Sequence, residues 1–405
     1  MTQAPASVVI VSRHRAQALM RCIVALTQQD HPCFEVIVVA DPDAIAQVQT
    51  MGPGLKLVPF DQANISAARN AGLASANATV VAFIDDDAVA EPTWLTRLTA
   101  PFADARVIAA TGFVRGRNGI SFQWQACEVD ALAQDHPFDA SELVIRPGTP
   151  RRAIKTQGTN CAFRTSALRS IGGFDPAYRF YLDEADVNLR MAHLGQTAVV
   201  PDAQVHHGFA ASDRRRADRV PLSLYDIAAS TALFLRRHAP EADMTAALHS
   251  MTIREAARAK HHRVAGRIGT EEEAALLQSL ALGWADGLVR PLSPLPPLAV
   301  SQADMLPLPG TGLRPGRVIA GRFWQRNRLA AQAAEAAKAG AVVTLICLAP
   351  TLRAHRVAFL PQGYWLQTGG LFGRSDRAGP RLRLIGFHRR IAEEVARISG
   401  FRPTK

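Results

Sequence analysis

The sequence has little that would support a disulfide framework, a zinc site or a membrane span. Its five cysteines form no CxxC pair and are odd in number, which argues against structural zinc or disulfides and favours a reducing compartment. The longest apolar run, 341–349, is less than half of a membrane span. The N-terminus lacks the basic segment and long apolar core of a signal peptide. We therefore expect a cytoplasmic protein that is soluble or at most peripheral at the inner face of the membrane.

Lysine and aromatic residues are also scarce. Arginine supplies nearly all of the positive charge behind the formal net charge of +11 and the pI near 10.1. Because Arg binds phosphates and carboxylates through two parallel hydrogen bonds, a polyanionic ligand or an anionic membrane surface is a candidate partner; a solvated basic surface is the alternative. Aromatics make up only 6% of the chain and no basic stripe is interleaved with them, so we expect no nucleic-acid partner. The stretch SRHRAQAL lacks the GxGxxG that a dinucleotide-dependent oxidoreductase would place after its first strand.

What is present is a strand–helix alternation followed by a change of pattern. The alternation over the first half predicts an α/β fold with a mainly parallel sheet and helices on both faces. Three amphipathic helices then follow at 222–238, 242–266 and 271–288, and prolines crowd 291–309. Near the C-terminus we predict strands at 318–320, 342–348, 355–359 and 381–385 with helices at 327–339 and 388–398. The predicted domains are 1–219 (catalytic), 220–290 (helical extension), 291–316 (Pro-rich linker) and 317–405 (small α/β unit of unknown role).

Three carboxylates, Asp85, Asp86 and Asp87, directly follow the predicted strand TVVAFI. Ligands of parallel sheets bind at the carboxyl ends of strands, and residues two apart on an extended chain point the same way. Asp85 and Asp87 can therefore share one Mg²⁺ or Mn²⁺, while Asp86 faces away.

Two further polar clusters lie later in the chain. Asp183, Glu184 and Asp186 cluster at the N-terminus of a predicted helix at 186–194, where they serve either to cap the helix or as a general base with its neighbours. His206 and His207 follow the predicted strand 197–200 and are either structural or a metal ligand. The loop after them contains Arg214, Arg215 and Arg216, which form either a solvated surface or a clamp for a diphosphate.

These motifs together resemble the family 2 glycosyltransferases, which are inverting enzymes with the GT-A fold. The resemblance begins at SVVIVSRHR, continues through NISAARNAGLASANATVVAFIDDDAVAEPTWL and resumes at GTNCAFRTSALRSIGGFDPAYRFYLDEADVNLRMAHLGQTAVVPDAQVHH. It covers about residues 7–207.

The resemblance implies a role for several residues. The implied donor-nucleotide contacts are Ser12, Arg13, Asp41, Arg69, Asp85 and Asp86. The implied metal ligands are Asp87, Asp85, His207 and His206. The implied acceptor and donor-sugar pocket is lined by Gly158, Thr159 and Asn160. The family's acidic pair usually reads Glu-Asp and here reads Asp183-Glu184, so Glu184 is favoured as the base over Asp183 and Asp186.

We therefore predict a hexosyltransferase-type enzyme that uses a divalent cation and moves a sugar from a nucleotide-sugar donor, UDP-linked by default, to a hydroxyl of a polysaccharide or a lipid-linked glycan. The alternative is a non-catalytic sugar-nucleotide-binding or scaffold protein that keeps the fold. The helix 222–238, with Leu233, Phe234 and Leu235 beside two arginines, either lies on a membrane or packs against the catalytic domain.

Overall fold

A computed structural model describes residues 3–208, 214–216 and 218–404 of the chain, and its N-terminal half is α/β. The strands of this half are β1 Ala6–Ser12, β2 Phe34–Ala40, β3 Leu55–Pro59, β4 Val80–Asp85, β5 Ala88–Ala90, β6 Val107–Arg115, β7 Phe122–Trp124, β8 Cys127–Asp130, β9 Asp135–Pro137, β10 Val144–Pro147, β11 Arg152–Ile154, β12 Cys161–Arg164 and β13 Gln196–His207. The helices are α1 Ala16–Leu26, α2 Pro42–Gln49, α3 Ile65–Ser75, α4 Trp94–Thr99, α5 Thr165–Ser170 and α6 Asp183–Met191.

Ten of these strands form one mixed sheet. Its order is β10-β13-β6-β12-β4-β1-β2-β3, with β5 paired to β13 and β7 to β6. The four strands β3, β2, β1 and β4 are parallel, and β12 joins them to β6 by antiparallel pairing on both of its sides. The strands β8, β9 and β11 form a separate small sheet. The predicted α/β class with a parallel core is confirmed.

The central strands are apolar along their whole length because helices cover both faces of the sheet. One face packs against α1, α2 and α4, with Leu19 and Trp94 fully buried. The other packs against α3, α5 and α6. Both faces are thus sealed, so polar side chains that follow the strands collect at the carboxyl edge.

Three helices then pack against this α/β body: α7 Tyr225–His238, α8 Met244–Val264 and α9 Thr270–Val289. Leu233, Phe234 and Leu235 are buried. The suggestion that α7 lies on a membrane is therefore wrong, because its apolar side faces protein. Among the described residues, no helix is long and apolar enough to cross a bilayer.

The Pro-rich segment runs as an extended arm across the α/β body. Its backbone N–H groups at Leu298 and Leu308 donate to the carbonyls of Arg169 and Phe34, at 3.0 and 2.8 Å. The N–H of Leu306 donates to the buried carboxylate of Glu35 at 3.0 Å. Proline has no backbone N–H and favours extended backbone, so the segment forms no helix, and these few donors attach it to the body.

The C-terminal unit is a small parallel sheet with a helix on each face. Its elements are β14 Gly316–Arg322, α10 Arg326–Lys338, β15 Val342–Ala349, β16 Arg356–Phe359, β17 Tyr364–Gly370 and α11 Phe387–Ile398. The strand order is β14-β15-β17-β16, with only β16 antiparallel. The strand predicted at 381–385 is wrong: Leu382 and Leu384 face solvent, so their alternation with arginines has no core to cover. The domain boundaries at 219, 290 and 316 stay a prediction.

One buried ion pair joins the C-terminal unit to the α/β body. The Arg402 guanidinium donates to both carboxylate oxygens of Glu91, at 2.7 and 2.6 Å, and stacks on the Trp365 ring at 3.7 Å. The Nε2 of His206 lies 2.7 Å from the Glu91 carboxylate, within hydrogen-bond distance. All four side chains are nearly inaccessible to solvent. Burial raises the pKa of Glu91, but Arg402 and His206 outweigh it, so the net pKa is far below its usual value.

Arg402→Ala should lower the free energy of unfolding by about 3–5 kcal/mol, because it leaves the Glu91 carboxylate buried without its cation. Arg317→Ala is the control, since Arg317 is exposed on the same unit. Chemical denaturation of the full chain measures both. An equal, small effect of the two substitutions would show that the ion pair does not hold the units together.

Candidate active site

Carboxylates gather where β1 and β4 end, at the carboxyl edge of the parallel strands. Asp85 is the last residue of β4, and Asp86 and Asp87 form the turn into β5. β13 pairs antiparallel with β5, with His207 opposite Ala88. This pairing brings a residue from 120 positions later in the chain beside the acidic turn.

Asp85, Asp87 and His207 form a cluster able to hold a metal ion. One ligand atom from each lies within 4.8 Å of the others. The His207 Nε2 is 3.1 Å from the Asp87 Oδ1, and its Nδ1 is 3.1 Å from the side-chain oxygen of Gln123. When Nδ1–H donates to Gln123, Nε2 presents its lone pair to the two carboxylates. Such a set of acceptors fits a hard divalent cation.

His206 lies on the opposite face of β13 and does not join this cluster. Successive strand residues point to opposite faces, and here the Nε2 of His206 contacts Glu91 at 2.7 Å. Its ring lies 4.9 Å from that of Trp365. Burial lowers the pKa of His206 to about 4 despite the nearby Glu91, so the ring is neutral at neutral pH. The implied metal role for His206 is therefore corrected to a structural one.

Arg69 of α3 is buried among three carboxylates. Its guanidinium contacts Asp183, lies 2.8 Å from Glu184, and lies 3.6 Å from Asp85. Burial lowers the pKa of Arg69, but the three carboxylates raise it overall. Arg69 thus links the metal cluster to the acidic pair at the start of α6. It was implied as a nucleotide contact, and the structure places it as the cation that holds these acids.

The pKa values of the two acids shift in opposite directions. Burial and the neighbouring Glu184 carboxylate raise the pKa of Asp183 well above its usual range. Burial also raises the pKa of Glu184, but Arg69 and backbone N–H groups at the start of α6 outweigh it and lower the pKa overall. Glu184 is partly exposed while Asp183 is enclosed. Glu184 is therefore the acid that is ionised and reachable at neutral pH.

The backbone before this pair is strained. Tyr181 and Leu182 both adopt left-handed conformations, with φ of 74° and 64°. Consecutive non-glycine residues in this region are costly and are found mostly at functional sites. α6 begins at Asp183 rather than at the predicted 186, so both acids lie in its first turn, where the helix dipole stabilises negative charge.

Gly158 is required by close approach rather than by backbone conformation. A Cβ atom there would lie 1.8 Å from the Glu184 Oε1 and 2.2 Å from an Arg69 nitrogen. Next to it, the Thr159 hydroxyl is buried and has no hydrogen-bond partner among the described residues. Gly158 therefore borders the Arg69–Glu184 contact, and the pocket predicted at Gly158 and Thr159 stays a prediction.

Asn160 does not line that pocket. Its amide oxygen accepts from the Trp94 indole at 2.8 Å, and its nitrogen donates to the Phe113 and Ala203 carbonyls at 3.0 and 2.8 Å. These bonds use the whole side chain inside the sheet. Its implied role is corrected to one of joining β6, β12 and β13.

Asp186 also has a structural position. It accepts from Arg190 at 2.7 Å and contacts the Nε2 of His238 at 2.9 Å. Burial raises its pKa, but Arg190 and His238 outweigh this and lower it overall. Since its carboxylate is fully enclosed by these partners, Asp186 ties α6 to α7 and is not placed to serve as the base.

The residues implied for nucleotide binding are partly engaged with each other. Ser12 donates to Asp86 at 2.6 Å. Asp41 caps α2 by accepting from the Ala44 N–H at 3.0 Å, and its other oxygen accepts from the His14 N–H at 2.7 Å. Arg13 pairs with Asp61 at 2.9 Å at the surface, so its guanidinium stays within reach of a ligand.

Sequence reasoning missed Arg15 and Gln123. Arg15 lies 2.5 Å from Asp86 and 3.6 Å from Asp87. The only sequence signal for it is the repeated arginine in SRHR. Burial and neighbouring carboxylates raise the pKa of Asp86 to about 7, against the opposing effect of Arg15. Asp86 therefore supports the turn rather than facing a ligand.

The three arginines after β13 separate in space. Arg214 pairs with Asp226 at 2.8 Å, and Arg216 donates to the Arg267 carbonyl at 3.1 Å. Arg215 interacts electrostatically with Asp87 and is half-buried, so it is the one beside the metal cluster. Residues 210–213 and 217 of the predicted loop lie outside the described residues.

We expect His207→Gln to weaken Mn²⁺ binding at least tenfold, because it replaces the imidazole ligand and leaves two carboxylates. His261→Gln is the control, since His261 lies on α8. Electron paramagnetic resonance of free Mn²⁺ at increasing protein concentration measures the affinity without any turnover. Equal affinity of the two variants would contradict a ligand role for His207.

Comparisons with known proteins agree with the position of this site. Residues 7–172 match the family model described as Glycosyl transferase family 2. An uncharacterized glycosyltransferase of Nostoc sp. is 36% identical over 188 residues, which are 44% of this chain and 56% of that protein. The pre-mycofactocin glycosyltransferase of Mycobacterium tuberculosis is 30% identical over 114 residues, which are 27% of this chain and 23% of that protein. The alignments thus span only about half or less of these relatives.

Solved structures show weaker likenesses. A mannosyltransferase from Pyrobaculum calidifontis, in complex with GDP-Man and Mn²⁺, has a TM-score of 0.43 at 16% identity and covers 71% of this chain and 88% of its own. GalNAc-T7 with UDP, GalNAc and Mn²⁺ also has a TM-score of 0.43, at 14% identity, covering 58% of this chain and 48% of its own. The family match includes β1, Arg69, the acidic turn and Gly158, and stops before α6. Residues 7–172 of this chain are therefore similar to the glycosyltransferase family 2 domain.

Proposed function

We propose that the protein is an inverting hexosyltransferase that moves a sugar from a nucleoside-diphosphate donor to an acceptor hydroxyl by a single, metal-assisted displacement. The observation that carries the proposal is the pair of sites bridged by Arg69: the Asp85–Asp87–His207 cluster on one side and the ionised Glu184 on the other. A leaving diphosphate needs a cation, and an attacking hydroxyl needs a base. Here the same guanidinium, that of Arg69, lies beside both Asp85 of the metal cluster and Glu184.

Asp85, Asp87 and His207 would hold Mn²⁺ or Mg²⁺. When bound, such a cation neutralises the negative charge that grows on the leaving diphosphate. Arg215, beside Asp87, supplies further positive charge on this side. We further propose that Arg13, which directly follows β1 and pairs with Asp61, contacts the donor nucleotide.

Glu184 accepts the proton of the acceptor hydroxyl as its oxygen attacks the anomeric carbon. The attack comes from the face opposite the leaving diphosphate, and a single displacement therefore inverts the anomeric configuration. Arg69 keeps Glu184 ionised and fixes its orientation, and Asp183, which keeps its proton, adds no second charge. Gly158 leaves room for the Arg69–Glu184 contact.

For the donor we propose a UDP-sugar, and for the acceptor a polysaccharide or a lipid-linked glycan. The relatives that are similar to parts of this chain are named glycosyltransferases, which supports transfer chemistry. A non-catalytic protein that only binds the sugar nucleotide is the competing function. The partial exposure of Glu184 favours catalysis, because an accessible carboxylate can accept the proton of an acceptor hydroxyl.

A thermal-shift panel tests the donor and the metal together. UDP, GDP, dTDP and CDP are each added with and without Mn²⁺ to the wild type and to Asp87→Ala. We expect a metal-dependent shift with UDP, worth about 2.7 kcal/mol at a hundred times the dissociation constant, and its loss in the variant. If no nucleotide shifts the wild type, the protein does not bind a nucleotide donor and the proposal fails.

Two isosteric variants separate the roles of the acids. Glu184→Gln should lower kcat by about 10²–10⁴-fold, because the amide cannot accept the proton. Asp183→Asn should cost far less, because the amide resembles the protonated acid that Asp183 already is. If protonation of Glu184 lowers the wild-type rate at acidic pH, the rate should fall only below pH 4.5, because the pKa of Glu184 is lowered from that ordinary value.

Both variants should keep the nucleotide-induced thermal shift, which shows that they fold and bind donor. The reverse order of kcat losses would make Asp183 the base. Binding without turnover in the wild type, over a broad acceptor panel, would favour the non-catalytic alternative.

A further inference from the structure

The net positive charge of the chain comes from its C-terminal unit. Residues 317–405 contain 16 Arg and Lys against 4 Asp and Glu, whereas residues 1–316 contain 30 against 31. The first part is therefore at about −1 and the second at about +12. A charge so unevenly distributed indicates an electrostatic partner for the C-terminal unit rather than general solubility.

Three connecting segments lie at one edge of the C-terminal sheet. β14, β15 and β17 are parallel, so their carboxyl ends meet at the same edge. The segments that follow them are 323–325, 350–355 and 371–386. The last two segments touch, since the Phe372 N–H donates to the Thr351 carbonyl. The first and the last meet at their flanks, where the guanidinium of Arg322 lies 4.1 Å from the centre of the Phe387 ring. We call the three segments the basic–apolar edge.

This edge carries all the large apolar side chains that residues 316–404, every one of them described, expose to solvent. They are between 52% and 86% exposed and comprise Phe323, Trp324, Leu352, Leu382 and Leu384. Phe323 and Trp324 pack edge to face, with ring centroids 5.3 Å apart. Single exposed apolar residues are ordinary, but five on three touching segments form a patch.

Arginines surround this patch. Those exposed on or beside the three segments are Arg326, Arg328, Arg353, Arg356, Arg381 and Arg389. The acids there are Asp376 and Glu393, and Glu393 is shared by Arg383 at 2.8 Å and Arg389 at 3.5 Å. The edge therefore keeps a large excess of positive charge around its apolar centre.

We propose that the basic–apolar edge binds the surface of an anionic lipid bilayer. Trp, Phe and Leu side chains enter the boundary between headgroups and acyl chains, and arginines bind the lipid phosphates. A nucleic acid or a polyanionic glycan would match the charge but would leave five exposed apolar side chains without a partner. The inference is independent of the proposed transferase activity.

The edge is also connected to the candidate active site. β16 begins at this edge, and its Val357 N–H donates to the Asn118 carbonyl in the β6–β7 loop at 2.9 Å. Arg117 of the same loop acts electrostatically on Arg215, which lies beside Asp87. The edge is thus joined to the β6–β7 loop, whose Arg117 lies within electrostatic range of Arg215.

Vesicle co-sedimentation of the full chain tests the proposal. The vesicles are phosphatidylcholine alone or phosphatidylcholine mixed with phosphatidylglycerol. We expect binding to the anionic vesicles only. The double substitution Trp324→Ala/Leu384→Ala should weaken it about tenfold or more, and Arg381→Ala about fivefold.

Leu313→Ala/Val264→Ala is the matched control, since both residues are highly exposed but lie outside the edge. Unchanged thermal unfolding shows that each variant is folded. Absence of binding to anionic vesicles overturns the proposal. So does binding that responds to Arg381→Ala but not to the apolar pair, which would identify a polyanion-binding surface instead. A nucleotide-induced thermal shift, present or absent, leaves either outcome unchanged.

Discussion

The buried guanidinium of Arg69 is the contact on which the site depends. It neutralises part of the charge on Asp85 and Glu184 and also contacts Asp183. Without it, acids from β4 and α6 would repel one another inside a sealed sheet edge, and the cost of burying them unpaired would be several kcal/mol. Arg15 and Arg215 lie beside Asp87 as well, so several guanidinium groups rather than Arg69 alone hold the carboxylates at this edge of the sheet.

The alternation of side chains along β13 connects this site to the rest of the chain. His207 points to the metal cluster, and His206 points to Glu91, Trp365 and Arg402. Neighbouring residues of a strand point to opposite faces, so the C-terminal unit packs against His206 on one face of β13 while His207 faces the metal cluster on the other. The position of His207 therefore depends on the C-terminal unit, whose Arg402 lies almost two hundred residues later in the chain. The C-terminal unit is accordingly part of what shapes the site.

Sequence patterns predicted the elements of the α/β body closely, because its strands are continuous apolar runs and its acidic turn follows one of them. They failed where the same polar residue type can serve either a functional site or the hydrogen bonding inside the fold. Asn160 and Asp186 have the polar side chains that a pocket or a base requires, yet their hydrogen bonds are used inside the fold. The Arg-Leu alternation at 381–385 has the period of a strand but no core to face. Such outcomes depend on contacts between distant segments, which local periodicity does not contain.

The abundance of arginine has two separate physical causes. In the α/β body many arginines cap backbone carbonyls: Arg164 donates to the carbonyls of Phe102, Asp104 and Val107, and Arg169 to those of Leu73 and Ala76. The forked guanidinium can satisfy several carbonyls at once, which a lysine ammonium on its flexible stem does less well. These arginines are balanced by acids and leave the body near neutrality. In the C-terminal unit the basic residues, nearly all of them arginine, outnumber the acids fourfold and surround exposed apolar side chains, so there the same residue serves an external surface.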